Sequence, residues 1–251
     1  MAEELDYISF SDVKEGFKKN MKVIKRLLRD AKLCYDKNFY SATVALSILT
    51  LEEIAKADFM RRKIKAEKGI LRKEWKELTS GRGSHLVKLS LALQFKEKHS
   101  ERWSEEGVQY LNEMSQKAEL PIYYRNKNEI KKEIALFKSI VPKFNILKQL
   151  CFYTSWNEKK KEWIYFENKF SDLIQKILTD FLFFEANKQY WNLKFTLELP
   201  TKLFVDYTNE DWEKIKKSEV RKELVKTWML FNKKIGSNFP LLVNTLQNLD
   251  Y

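Results

Sequence analysis

The chain has 251 residues and a formal charge of +12, because 47 lysines and arginines face 35 aspartates and glutamates. Its 6 glycines and 4 prolines amount to about 4% of the residues, against an average near 12%. So few turn-forming residues exclude a β-sandwich or barrel, which needs a turn signal every ~8–12 residues. No glycine-rich phosphate-binding motif occurs. The composition therefore predicts an all-α protein with long helices.

The first predicted helix begins near Asp12, where Asp12 and Glu15 form a D-x-x-E capping pattern. Apolar residues then recur every three or four positions up to Tyr35, which is the period of a helix. After a short break at 36–38, the second helix is predicted from Phe39 to 68. Its first half is apolar on nearly every side, so we expect it to be buried at the centre of the bundle.

The stretch 69–83 holds three of the six glycines and is predicted to be a loop. Ser84 is expected to cap a third helix that carries His85 and Lys88 one turn apart. The lysine run 159–161 is expected in a second solvated loop. The apolar period predicts three further helices, at 104–119, 130–153 and 166–191. Pro142 is expected at the start of the helix 130–153 or at a kink in it.

Apolar and polar residues alternate from Leu193 to Leu199, so a short strand or hairpin is predicted near 193–207. A last long helix is predicted from Thr208, followed by an apolar tail, 239–251, that is expected to dock on the bundle. The predicted architecture is an antiparallel multi-helix bundle. We divide it into a helical domain, 1–191, and a C-terminal helical extension packed on that domain, 192–251.

Cysteine and histidine usage gives no indication of a metal centre. Cys34 and Cys151 lack the C-x-x-C spacing of zinc sites and are predicted to be structural thiols. Two histidines in the whole chain do not form an H-x-x-x-H pair, and we expect neither metal nor cofactor. The N-terminus does not resemble a signal peptide, and no run of ~18 apolar residues occurs. We therefore expect a cytoplasmic protein without membrane association.

Four residues form the candidate catalytic set: Glu52, Lys56, His85 and Lys88. A histidine can transfer protons near neutral pH, and lysines can stabilise a developing phosphate anion. This combination suits metal-free RNA cleavage in which the 2′-hydroxyl is the nucleophile. The alternative interpretation is structural. Glu52 lies four residues before Lys56, a spacing that favours a helical ion pair, and His85 then only marks the start of a helix.

Three segments carry a family resemblance: AKLCYDKNFYSATVALSILTLEEIAKADFM at 31–60, SHLVKL at 84–89 and LKQLCFYTSW at 147–156. They resemble, in order, three blocks of the AbiV family of abortive infection proteins. The first block is an A-x-x-L-Y/F stretch, a turn and an alanine-rich helix that ends in L-E-E-x-G-K-A. The second is an H-x-x-K segment, and the third is a basic residue followed by a sequence of the L-Y-V-D type.

The resemblance implies a HEPN-like helical domain, frequent dimerisation and, in many members, RNA cleavage. The sequence departs from the family pattern at Ala55, where glycine is common, and at Thr154–Ser155, where valine and aspartate are usual. The R-x(4–6)-H motif of HEPN ribonucleases is absent, because Arg82 lies only three residues before His85. The motifs add binding candidates to the catalytic set: Lys148, Tyr153, Arg82 and Glu53.

The resemblance implies a bacterial phage-defence effector that arrests infected cells by acting on RNA or the translation machinery. If the protein is an enzyme, the resemblance implies a metal-independent endoribonuclease. Its expected partners are RNA, ribosomes or translation factors, a phage-encoded trigger protein and a second copy of the chain. Two alternatives stay open. One is a non-catalytic basic protein that sequesters a translation component, RNA or phage protein. The other is an antitoxin-like HEPN scaffold whose polar cluster is structural.

Overall fold

A computed structural model describes residues 6–80, 84, 88–89, 109, 112–113, 115–120, 127–157, 161–199 and 207–249. Within these residues nine α-helices have defined bounds, which confirms the predicted all-α class. The helices are α1 Phe10–Asp36, α2 Tyr40–Lys65, α3 Arg72–Thr79, α4 Lys127–Phe152, α5 Phe166–Lys169, α6 Asp172–Glu198, α7 Asn209–Lys217, α8 Glu219–Ile235 and α9 Phe239–Gln247. The short strands are β1 Tyr7–Ile8, β2 Ile70–Leu71, β3 Ser155–Asn157 and β4 Glu162–Ile164.

Helix α1 begins two residues earlier than predicted. Its N-cap is Ser9, whose hydroxyl oxygen accepts a hydrogen bond from the backbone N–H of Asp12 at 3.1 Å. The capping pattern predicted at Asp12 and Glu15 was therefore wrong, and Asp12 belongs to the first turn that Ser9 caps. The helix ends at Asp36, and Asn38 has a φ of 57° in the tight return to α2.

Helix α2 lies at the centre of the bundle, as predicted. Helices α1, α4 and α6 pack against it, and its core side chains, such as Val44 and Ile48, are fully buried. Small residues, including Ala45 and Ala57, are also fully buried and let neighbouring helices approach closely. A helix buried on several sides can carry a charge only where another element supplies the opposite charge.

Helix α6 is the second buried helix, and it corrects the strand prediction near 193–207. The helix continues to Glu198, and residues 200–206 lie outside the described residues. Leu193 packs in the main core, whereas Phe195 packs in a second cluster with Trp212. When one helix packs against two hydrophobic clusters, its apolar residues can alternate with polar ones as they do in a strand. This explains the wrong prediction.

The C-terminal helices pack on the bundle. The single long helix predicted from Thr208 is divided at Ser218, whose hydroxyl caps α8 by accepting from the backbone N–H of Arg221 at 3.3 Å. The apolar tail docks as predicted, because Leu242 and Leu246 of α9 are buried in the main core. Helix α6 crosses the proposed domain boundary at 191/192, and the division into two domains stays a prediction.

Other helix predictions agree in part with the structure. Helix α4 runs through Pro142, which is solvent-exposed and inside the helix rather than at its start. In 104–119, the described residues up to 117 are helical. Helix 166–191 is divided into α5 and the longer α6. No helix among the described residues is long and apolar enough to cross a bilayer.

The stretch 69–83 is not simply a loop. Strand β2 pairs antiparallel with β1, and α3 follows directly, while 81–83 lies outside the described residues. The pairing requires glycine at position 69, because a Cβ there would lie 2.5 Å from the carbonyl oxygen of Ile8. A second strand pair, β3 with β4, follows α4 and was not predicted.

Replacing Gly69 by alanine is expected to lower the free energy of unfolding by about 1–3 kcal/mol, since the added methyl group must separate β1 from β2. Gly236 is a matched control. It has helical φ and ψ, and its Cβ would meet no atom within 4 Å, so Gly236→Ala should raise the free energy of unfolding by about 0.5–1 kcal/mol. Urea unfolding of both variants tests this, and equal effects would contradict the proposed close contact.

Candidate functional site

A buried carboxylate lies at the centre of the candidate site. Glu52 is near the middle of α2 and only 2% exposed, since the apolar periodicity on both sides of it carries this part of the helix into the core. An ionised carboxylate in such a position is costly unless cations and hydrogen bonds compensate it. The neighbouring elements supply those cations.

Two lysines from different parts of the chain meet Glu52. Lys148 of α4, itself 5% exposed, donates a hydrogen bond from Nζ to Oε1 at 2.6 Å. Lys88, 6% exposed, places Nζ 3.8 Å from Oε2. Lys88 belongs to a segment whose described residues, Ser84, Lys88 and Leu89, are helical. One carboxylate of α2 therefore contacts both α4 and Lys88.

The charged groups around Glu52 affect the pKa of Lys88. Burial lowers the pKa of Lys88 below its ordinary value of 10.5, and the Glu52 carboxylate opposes this shift without cancelling it. The neighbouring Lys56 and Lys148 lower this pKa further, while Glu53 raises it. Among the described residues, the Lys148 and Lys88 side chains both contact the Glu52 carboxylate.

A second ion pair lies beside the first. Lys56 pairs with Glu53 rather than in the i,i+4 arrangement that the sequence favoured with Glu52. Asn20 of α1 donates from Nδ2 to Oε2 of Glu53 at 2.6 Å. The Glu53 and Lys56 side chains are about one-fifth exposed, so this pair reaches solvent where Glu52 does not. The Glu52 side chain instead points toward α4, where it accepts the hydrogen bond from Lys148.

The structure unites most of the predicted site residues but not all. Glu52, Glu53, Lys56, Lys88 and Lys148 form one electrostatic cluster. Among the described residues, Tyr153 makes no hydrogen bond to this cluster. It is 62% exposed, and its ring lies edge-on to Phe152, with 6.3 Å between the centroids. His85 and Arg82 lie outside the described residues.

Sequence reasoning missed Asn20. It lies three residues after Phe17 and four before Ile24, two apolar positions of α1 that pack in the core. A polar amide so close to the apolar face is the signal that could have identified it, since its side chain points toward the neighbouring helix. Its position fixes the Glu53 carboxylate that in turn holds Lys56.

The cluster is suited to holding an anion. Lysine ammonium groups whose positions are fixed by carboxylates can stabilise negative charge on phosphate oxygens without moving. In this cluster Glu52 contacts Lys148 and Lys88, and Glu53 contacts Lys56. No group of three or more histidine, cysteine, aspartate or glutamate side chains in the described part of the chain could hold a metal ion.

The two cysteines are not part of this cluster. Both Cys34 and Cys151 are free thiols that are partly buried. Burial raises the pKa of the Cys151 thiol, and the Glu167 carboxylate adds to the shift. A thiol with a raised pKa is a poor nucleophile at neutral pH, which agrees with the structural role predicted for it.

Comparison with protein families gives one match. The family model HEPN_AbiV, described as AbiV, matches residues 12–176, which is 165 of the 251 residues. The matched range contains Glu52, Lys88 and Lys148 with the elements that carry them. Neither the curated proteins nor the solved structures gave a match to the chain.

The lowered pKa of Lys88 predicts a pH-dependent stability. Between the folded-state pKa and 10.5, the unfolded chain holds a proton on Lys88 that the folded chain has released. The free energy of unfolding should therefore rise with pH in this window. Lys88→Met removes the titrating group, so wild type should gain stability relative to Lys88→Met as the pH rises from neutral toward 10.5. Urea unfolding at a series of pH values measures this difference. A constant or falling difference would contradict the lowered pKa of Lys88 in the folded chain.

Proposed function

The chain belongs to the AbiV family, and on that basis we propose that it is a bacterial abortive-infection effector of the HEPN type. It arrests phage-infected cells by acting on RNA or on the translation machinery. In this proposal it works in the cytoplasm, forms a homodimer and responds to a phage-encoded trigger protein. The family match covers the whole charged cluster around Glu52.

The contact between Lys88 and Glu52 is the observation that carries the proposal. In the sequence Lys88 follows His85 by three residues, so the two belong to one H-x-x-K segment. Lys88 itself lies 3.8 Å from Glu52 of α2, and His85 lies outside the described residues. The contacts of Lys88 and Lys148 with Glu52 support the proposal, because these three residues come from the three segments that resemble the family's blocks.

The proposed reaction is metal-independent RNA cleavage. His85 takes the proton from a 2′-hydroxyl, whose oxygen then attacks the adjacent phosphorus atom. The bond from phosphorus to the 5′-oxygen breaks, the leaving oxygen gains a proton, and a 2′,3′-cyclic phosphate and a 5′-hydroxyl result. Lys56, Lys88 and Lys148 are the proposed stabilisers of the charge that develops on the phosphate oxygens. In this proposal Glu52 positions Lys88 and Lys148, and Glu53 positions Lys56.

Sequestration is the second candidate function, and burial favours it. Lys88 and Lys148 are each more than nine-tenths buried and already face Glu52. A lysine held in this way contributes to the stability of the bundle without touching a substrate. The net charge of +12 would still attract RNA or a ribosome surface, because long-range attraction to polyanions needs no active site.

His85→Ala tests the catalytic proposal, and His99→Ala is the matched control because His99 is the only other histidine in the chain. Purified protein, with and without extract of phage-infected cells, is incubated with cellular RNA. We expect discrete new ends bearing 2′,3′-cyclic phosphate. Losing the acid–base group should slow their formation about 10²–10⁴-fold in His85→Ala, and His99→Ala should cleave as wild type does.

Cell arrest by each variant is measured in parallel. Intact RNA with every protein, combined with undiminished arrest by His85→Ala, would exclude the nuclease mechanism and favour sequestration. Equal loss of cleavage in both histidine variants would show that the effect is not specific to His85.

A further inference from the structure

The outer side of α1 carries four exposed cations that lie on one face of the helix. We call this surface the α1 basic face, and it consists of Lys18, Lys22, Lys25 and Arg26. Within the described part of the chain none of the four makes an ion pair or a hydrogen bond. Other exposed cations of the same helix do have partners, since Lys19 pairs with Glu15 and Arg29 with Asp30.

The sequence surrounds Lys22 with like charges. Lys18 and Lys19 lie four and three residues before it, and Lys25 and Arg26 lie three and four residues after it. Side chains at these spacings are neighbours on a helix, and like charges there repel each other and lower helix stability. A dense array of negative charge would relieve this repulsion. The arrangement therefore favours binding of a polyanion at the expense of stability in the free protein.

Helix α8 shows how exposed lysines are arranged where this repulsion is avoided. Its Lys222 pairs with Glu219 at 2.5 Å, and its Lys226 lies 3.8 Å from Glu223. Each of these lysines thus has a carboxylate three residues before it. The unneutralised charge is therefore a property of the α1 basic face and does not follow simply from a lysine-rich composition.

The surroundings of the α1 basic face indicate which polyanion it fits. Helix α1 is described throughout and has no exposed aromatic residue after its first turn, so the bases of a single strand find no ring on which to stack. Its apolar side packs against α2 and α6 and is not available to enter a lipid surface. A nucleic-acid duplex keeps its bases inside and presents closely spaced phosphates, which lysine and arginine contact without reading the sequence.

We propose that the α1 basic face binds the phosphate backbone of double-helical RNA. The choice of RNA over DNA rests on the proposed function, whereas the choice of a duplex rests on the charge and composition of the face. The face is separate from the Glu52 cluster, because Asn20 contacts Glu53 from the opposite side of α1. It would therefore hold a folded RNA at a place away from the candidate site.

Fluorescence anisotropy with a labelled RNA duplex of roughly 16 base pairs, the length that double-stranded RNA domains span, tests the proposal. Lys18→Gln combined with Lys22→Gln should weaken binding about tenfold or more and lower the steepness of log K against log salt by about two, because two phosphate contacts are lost. The matched control is Lys222→Gln combined with Lys226→Gln. It removes the same charge at the same spacing from an exposed helix face, and it should leave the affinity and the salt dependence nearly unchanged.

The stability of the Lys18/Lys22 double variant provides an independent measurement. Removing two mutually repelling charges should leave the urea midpoint of unfolding unchanged or raise it, so weaker binding would not be caused by unfolding. A lower midpoint would contradict the repulsion from which the inference starts. Equal losses of affinity in the two double variants would also overturn the proposal, because the effect would then be one of net charge alone.

Other polyanions test the choice of partner. Tighter binding of single-stranded RNA, or of a DNA duplex with the same number of phosphates, would overturn the assignment to double-helical RNA. The same holds if vesicles of phosphatidylcholine and phosphatidylserine bind through the α1 basic face while the RNA duplex does not.

Cleavage and cell arrest separate this inference from the proposed function. Wild-type duplex affinity in the Lys18/Lys22 double variant, together with His85-dependent cleavage, would contradict the inference and leave the proposed function standing. Duplex binding that requires the α1 basic face, together with cell arrest that requires neither this face nor His85, would support the inference and contradict RNA as the functional target.

Discussion

The requirement to compensate one buried carboxylate organises the charged centre of this bundle. Glu52 lies on a helix that is packed on several sides, and its oxygens face Lys148 and Lys88 from two other segments. An uncompensated carboxylate there would cost several kcal/mol. The three segments must therefore be in place together, and the same three segments carry the sequence blocks that identify the family. Stability and the candidate site depend on the same contacts.

A second buried ion pair shows what distinguishes the Glu52 cluster. Glu185 and Lys188 of α6 pair in the interior, and Lys188 Nζ lies 4.5 Å and 4.2 Å from the ring centroids of Trp228 and Phe231 on α8. That pair holds the C-terminal helices to the bundle by charge and by cation–π attraction. Burial of an ion pair is thus not by itself a sign of function. The Glu52 cluster differs because its carboxylate contacts lysines from two other segments of the chain, and a partly exposed pair, Glu53 with Lys56, lies beside it.

Much of the helical architecture could be predicted because the apolar period of α1 and the all-round apolar character of α2 are local properties of the sequence. The strand predicted from Leu193 to Leu199 was wrong because alternation does not distinguish a strand from a helix between two cores. The sequence predicted Glu52, Lys88 and Lys148 as site residues, the last from the family resemblance. It did not identify Lys148 as the partner of Glu52, since the spacing to Lys56 suggested a local pair. Partner choice depends on how α4 packs against α2, which no local pattern encodes.

A double-mutant cycle with Glu52→Gln and Lys148→Met tests most directly whether the buried carboxylate unites α2 and α4. The free energies of unfolding of wild type, both single variants and the double variant are measured by urea denaturation. A direct contact at 2.6 Å predicts a coupling energy of about 1–3 kcal/mol, with the double variant less destabilised than the sum of the single variants. Additive effects within about 0.5 kcal/mol would contradict the contact and the central role assigned to Glu52.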